Sequence, residues 1–133
     1  MSEHSAIGDA LRAKLTSSGG TAVWGSRVYD RLGPQGVVYP YLLYNYVSGG
    51  ERNITPTDEL DALYDVRVLS KTLSDSRTGA GHIRTALHNQ TLTLTGWSLV
   101  GCECVGMISR IDVLENINYY TDGFEVRVRL EKA

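Results

Sequence analysis

The strictest pattern in the chain is an alternation of apolar and charged residues near its carboxyl end. Successive residues of a strand point to opposite faces of a sheet, so this alternation predicts a strand with one buried face. The apolar members are Phe124, Val126, Val128 and Leu130, and the charged members are Glu125, Arg127, Arg129 and Glu131. The rest of the chain must therefore cover one face of a sheet.

Two segments have the helical period that such a cover requires. The first runs from about Ser5 to Ser17, where Ser18-Gly19-Gly20 stops it, and the second starts at Ser74-Asp75-Ser76 and ends near Asn89. Asparagine is a common left-handed terminator of helices. The apolar stripes of the two helices are Ile7, Leu11 and Leu15 in the first, and Ala80, Ile83 and Leu87 in the second.

Shorter alternating or branched segments between these helices predict further strands. We expect Ser48-Gly49-Gly50 to end one of them, Gly101 and Gly106 to form bends or bulges, and Asp122-Gly123 to form a tight turn. Residues 51–61 hold four acidic residues and Pro56, which predicts a mobile loop or a long, frayed hairpin tip. The remaining predicted strands are 27–32, 41–47, 64–68, 92–94 and 98–114.

The order of elements, helix, strands, helix, strands, predicts an α+β fold with a mainly antiparallel sheet and two helices packed on one face. The 133 residues are the length of one domain, so we expect a single unit over residues 1–133. A net charge of -2 excludes a strongly basic nucleic-acid coat. We expect no membrane span and no secretory signal, and hence synthesis in the cytoplasm.

A search for catalytic, cofactor and metal sites predicts none, so we expect a protein that is not an enzyme. Ser48-Gly49-Gly50-Glu51 and Thr78-Gly79-Ala80-Gly81 lack the nucleotide-binding patterns. His82 and His88 are six apart on a helix and point away from each other. The acidic segment 51–61 lacks the calcium-loop order. Cys102 and Cys104 are expected on the same face of one strand, as buried small apolar side chains.

Tyrosine is concentrated in one part of the chain, since five of the eight tyrosines lie in residues 29–46. Strand propensity favours tyrosine, so a packed core strand is one interpretation. An interface is the other, because tyrosine is enriched where protein surfaces meet. The five residues are Tyr29, Tyr39, Tyr41, Tyr44 and Tyr46.

Several segments together resemble the tail terminator, or tail completion, proteins of long-tailed bacteriophages and gene transfer agents. The leading helix with Leu11-Arg12-Ala13-Lys14-Leu15 is one of them. The resemblance covers nearly the whole chain in the family's order, although each motif is degenerate. The other matching segments are Arg27–Leu32, Tyr39–Leu43, Tyr64–Ser70, His82–His88, Leu92–Leu94 followed by Gly96, and Arg127–Leu130.

The resemblance implies a virion part that forms a ring, usually a hexamer, on the finished head-proximal end of the tail tube. Such a ring ends tube polymerisation and provides the surface for head joining. Its partners would be other copies of itself, the major tail tube protein and the head–tail connector, with DNA passing through the lumen without sequence-specific contact. It would be assembled in the host cytoplasm and then reside in the virion.

The residues that we assign to these contacts form two groups. Tyr44, Tyr46, Arg127 and Arg129 are candidates for subunit contact, and Glu51, Arg52, Asp58 and Glu59 for contact with the tube or connector. A head–tail adaptor or a tail assembly chaperone is the alternative within phage assembly. A small-molecule-binding or enzymatic α+β domain is the alternative outside it.

Overall fold

Strands of one sheet account for most of the molecule. The computed structural model describes residues 3–54 and 57–132, and within these ranges five strands lie in the order β1-β2-β3-β5-β4. The strands are β1 (Val28–Asp30), β2 (Tyr41–Ile54), β3 (Thr57–Ser70), β4 (Trp97–Leu114) and β5 (Ile117–Lys132). The helices are α1 (Glu3–Thr16), α2 (Thr21–Trp24) and α3 (Leu73–Leu87).

The sheet is mainly antiparallel, as the sequence predicts. β2 pairs with β3, β3 with β5, and β5 with β4 in antiparallel register, while the short β1 pairs in parallel with residues 42–44 of β2. An α+β fold is thereby confirmed. The element that the sequence did not predict is α2, a single turn that places Trp24 in the core.

The core lies between the helices and one face of the sheet. Register places Leu42 beside Val68, and Val66 beside Phe124, so alternate residues of neighbouring strands share this face. The apolar stripes predicted for the two long helices are in the same cluster of buried side chains, except that Ala80 is half-buried against it. Its fully buried members include Ile7, Leu11, Leu15, Trp24, Leu42, Val66, Val68, Ile83, Leu87, Val126 and Leu130.

One predicted strand end was wrong. Ser48-Gly49-Gly50 does not end β2, because the strand continues to Ile54 after a bulge between Tyr46 and Ser48. The bulge accommodates one extra residue of β2. Gly49 lets the backbones of β2 and β3 approach closely, because a Cβ at this position would meet Asp61 O. The hairpin interpretation of residues 51–61 is therefore right and the loop interpretation is wrong, with residues 55 and 56 outside the described ranges.

The predicted turn at Asp122-Gly123 was also wrong. Both residues lie inside β5, and the β4–β5 hairpin turns at Glu115 and Asn116, whose φ values are +53° and +64°. Positive φ at both central residues is the type I′ arrangement that fits the twist of two-residue hairpins. Gly123 is needed for a different reason, because a Cβ at this position would meet the backbone of β3.

The remaining local predictions have mixed outcomes. Register shifts at Gly101 and Gly106 confirm the two bulges in β4, and a φ of +56° confirms Asn89 as a left-handed terminator. Residues 92–94 do not form a strand, because their backbone joins no ladder even though Leu92 and Leu94 are buried. Helix α3 starts one residue earlier than predicted, capped by Thr72, whose Oγ1 accepts from the Asp75 N–H at 3.3 Å.

Candidate interaction surfaces

One hollow of the molecule lies between two of its helices. The hollow between the end of α1 and α3 measures about 260 Å³ and is lined by Lys14, His82, Thr85 and Gln90, without a carboxylate or thiol beside them. Within residues 3–54 and 57–132, no three His, Cys, Asp or Glu side chains are grouped to hold a metal ion. We take the faces and edges of the sheet as the candidate functional surfaces.

Tyr44 belongs to the core rather than to a surface. Its side chain is 6% exposed on the helix-covered face of the sheet, and burial raises the pKa of its hydroxyl. A Cβ on Gly8 of α1 would lie 3.7 Å from its ring. The strand turns this ring, one of those predicted for subunit contact, toward α1 and into the core of the single chain.

Tyr46 lies two residues further along the same face and is half-buried. Its ring packs edge-on against Tyr64, with centroids 5.6 Å apart and planes at 71°. Part of this side chain therefore remains accessible where the helical cover ends. Of the two tyrosines assigned to contact, Tyr46 is the one that the fold leaves at a surface.

Arg127 and Arg129 lie on the opposite face of the sheet, which no helix covers. Both are half-buried instead of exposed, because each sits between two neighbouring strands. Arg129 forms a ladder of ion pairs, with Nε 3.7 Å from Asp61 Oδ1 on β3 and Nη2 3.6 Å from Glu103 Oε1 on β4. Charges of alternating sign therefore cross three strands of this face.

The four acidic and basic residues assigned to tube or connector contact lie on the β2–β3 hairpin. For these residues the structure describes the backbone and its register, and not the side chains. Arg52 pairs with Glu59, Glu51 with Leu60, and Asn53 with Asp58. Glu59 also pairs with Glu131 of β5, so the hairpin and the end of the Arg129 ladder share one end of the sheet.

An apolar surface on the β4–β5 hairpin was not predicted from the sequence. Alternation across this segment predicts burial, and only the tertiary structure reveals that the helices stop short of it. β3 pairs with β5 as far as Tyr120, so the hairpin extends beyond the other strands. Its exposed apolar side chains are Met107, Ile111, Val113, Leu114 and Ile117.

A second group that was missed surrounds Tyr41 on the face opposite the helices. Tyr41 contacts Tyr39 and Tyr29, and Tyr39 contacts Tyr119 at 5.5 Å between ring centroids. Lys71 Nζ lies 5.1 Å from the Tyr39 ring centroid and 6.0 Å from that of Tyr119. The concentration of tyrosines in the sequence indicated a core strand or an interface. It did not predict that these rings would lie together beside Lys71.

The two cysteines occupy the same face of β4, as predicted. They pair with Val128 and Val126, and both are free thiols. Burial raises the pKa of Cys102 to about 12 and that of Cys104 to about 11. The Cys104 N–H donates to His88 Nδ1 at 3.1 Å, so the turn after α3 is attached to this part of β4.

Comparisons with known proteins agree with this architecture. The family model described as tail completion protein gp17 matches residues 9–116. A chain from the solved virion of a native gene transfer agent particle is 19% identical, with a TM-score of 0.82 and 96% of each chain covered. A second solved structure, with no stated function, is 9% identical, with a TM-score of 0.59 over 100% of this chain and 97% of that one.

At these identities the two structural likenesses show a shared fold. No curated protein matches the chain. Among the helices of the described ranges, none is long and apolar enough to cross a membrane.

Proposed function

This chain belongs to the tail completion protein gp17 family of phage tail structural proteins, and from that premise we propose that it caps the head-proximal end of a tail tube. In this proposal it assembles as a ring, usually a hexamer, that ends tube polymerisation and presents the surface for head joining. The role is structural and needs no catalysis. The observation that carries it is the family match over residues 9–116.

The fold is suited to such a ring. A closed ring requires heterologous contacts, in which one patch of a subunit meets a different patch on the next. Long strands with open edges at both sides of one sheet offer two such patches. A shared fold with a chain of a gene transfer agent virion is in keeping with a place in a particle of this kind.

The proposed partners are other copies of the chain, the major tail tube protein and the head–tail connector. The proposed subunit-contact residues are Arg127, Arg129 and Tyr46. The two arginines are half-buried, and they would make contact through the part of each side chain that stays exposed. The β2–β3 hairpin, with Glu51, Arg52, Asp58 and Glu59, is the segment proposed to meet the tube or connector. The chain would be made in the host cytoplasm and then reside in the virion tail, with DNA passing through the lumen.

Deletion of the gene from its phage or particle cluster is the test. Without a cap, tube subunits continue to add to the free end, so we expect overlong tails without heads in electron micrographs of the lysate. Expression of the intact chain from a plasmid should restore tails of normal length. A plasmid with a stop codon early in the same gene is the matched control.

Two other results would reject the cap. Tails of normal length that lack heads would indicate a head–tail adaptor, because termination would then not depend on this chain. Absence of any tube would indicate an assembly chaperone, because the chain would then act before polymerisation.

A further inference from the structure

The outer edge of β4 is protected along one half and open along the other. In the first half, the Asn89 N–H donates to Cys102 O at 2.8 Å, and the Cys104 N–H donates to His88 Nδ1. Two bulges further interrupt this half, at Gly101 and Gly106. The turn after α3 and the bulges therefore prevent another strand from pairing there.

The second half, Met107–Leu114, lacks these devices and is called here the open β4 edge. It pairs with β5 without a register shift, contains no proline or lysine, and ends a sheet. Met107, Ile111 and Val113 are 81%, 60% and 66% exposed. Natural proteins rarely leave a long, regular, apolar edge unpaired, because it invites pairing with another chain.

The opposite side of the sheet has a matching edge. β1 pairs with β2 only as far as Tyr44, so β2 continues as an edge strand to Ile54 within the described residues. The part from Val47 to Ile54 is called here the open β2 edge. Val47 is 47% exposed, and the segment also lacks proline and lysine. Each open edge is eight residues long and carries one arginine and one acidic residue.

We propose that the open β4 edge of one copy pairs with the open β2 edge of the next copy, which continues the sheet from subunit to subunit. The proposal rests on the ring function above and names its subunit contact. β2 and β4 run in opposite directions, because three successive antiparallel pairings connect them through β3 and β5. A neighbour placed by rotation about a ring axis therefore presents β2 antiparallel to β4.

Charge complementarity fixes the register of this contact. Directly opposed positions of one continuous sheet share a face. Backbone register places positions 52 and 112 on the face opposite the helices, where they pair with Glu59 and Tyr119, and places position 51, which pairs with Leu60, on the helix side. The antiparallel register that matches both faces and charges therefore puts Arg52 of one copy opposite Asp112 of the next, with residues 50–54 along residues 110–114. Opposite charges at directly facing positions stabilise a pair of strands. Arg110 is exposed and its Nε is 3.2 Å from Asp112 Oδ2, an exposed ion pair that contributes little and can be exchanged.

A second copy is the occupant that uses both edges. Pairing between two open β4 edges would be isologous and would stop at a dimer, leaving both β2 edges unpaired. Pairing of β4 with β2 uses each edge once per subunit and propagates until the ring closes. The neutral charge of both segments also means that neither repels the other.

The test is a disulfide across the proposed register. Directly opposed residues have Cβ atoms about 5 Å apart, a separation that a cross-strand disulfide can span with small adjustment. The double variant Arg52→Cys/Asp112→Cys is mixed with tubes of the cognate major tail tube protein, oxidised, and run on a denaturing gel without reductant. We expect a ladder from dimer upward that collapses to monomer on reduction.

Each control isolates one feature of the contact. The single variants and the unmodified chain, whose Cys102 and Cys104 stay in place, should give monomer. The double variant Arg52→Cys/Leu32→Cys, with an exposed second site outside both edges, should also give monomer. Circular dichroism verifies that every variant is folded before mixing.

Two outcomes overturn the contact without affecting the proposed function. Dimers from Asp112→Cys alone would show isologous β4 pairing. Absence of any ladder from a double variant that still binds tubes and stops their growth would show that subunits meet elsewhere. Failure of the unmodified chain to bind or stop tubes would reject the proposed function itself, and the contact would fall with it.

Discussion

Replacing Trp24 with alanine is expected to lower the free energy of unfolding by about 3–5 kcal/mol, the usual cost of removing a large buried aromatic ring. Trp24 is fully buried, and its indole N–H donates to Leu15 O at 3.1 Å, which satisfies a carbonyl near the end of α1. The ring lies so close to Gly20 that a Cβ there would overlap it. Because domains of this size are stable by about 5–15 kcal/mol, this loss removes a large part of the total.

The comparison residue for this prediction is Trp97, the other tryptophan. Trp97 packs at the margin of the core and is half-buried, so Trp97→Ala should cost clearly less. Urea unfolding followed by circular dichroism, which does not depend on a tryptophan signal, measures both. Equal losses for the two variants would contradict the assignment of Trp24 as the residue that attaches α2 to the core.

Replacing Gly123 with alanine is expected to lower the free energy of unfolding by about 1–3 kcal/mol, the range for atoms forced into a packed site. Gly123 pairs with Arg67 across β3 and β5. An added Cβ would meet Val66 O and lie 2.6 Å from the Arg67 Cα, and these are backbone atoms that cannot rotate away. The two strands would have to separate at the centre of the sheet.

Gly101 is the matched control, because it also lies in a long strand and has no atom within 4 Å of a built Cβ. Gly101→Ala should change the unfolding free energy by no more than about 0.5 kcal/mol, as open surface positions do. The same urea titration distinguishes the two variants. A neutral Gly123→Ala would mean that β3 and β5 are not packed as closely as described.

Most of the fold could be predicted because period and polarity agree in the long elements. The alternation at Phe124–Leu130 and the four-residue period of Ile7, Leu11 and Leu15 each specify one buried face, and the structure has both. The misassigned parts are those where tertiary contact overrides local chemistry. Asp122-Gly123 has the composition of a turn, yet glycine is there for strand packing, while Glu115 and Asn116 turn without a glycine.

The candidate surfaces were less predictable, because a strand's pattern does not show how far its cover extends. Alternation in β4 predicts burial for Ile111 and Val113 as strongly as for Cys102. The helices cover only Cys102, and the other two side chains are exposed. Tyr44 and Tyr46 lie on one face with similar local sequence, and the position of α1 decides that one is core and the other is partly accessible. Which edges stay open depends on pairing between distant segments.

The most direct test of the central claim adds the purified chain to a solution in which the cognate major tail tube protein is polymerising. Tube length is then followed by electron microscopy, with an equal amount of heat-unfolded chain as the control. We expect the tubes to stop at the length reached on addition and to carry a ring of this chain at one end. Continued growth at the control rate, with no ring at either end, would contradict the proposed cap.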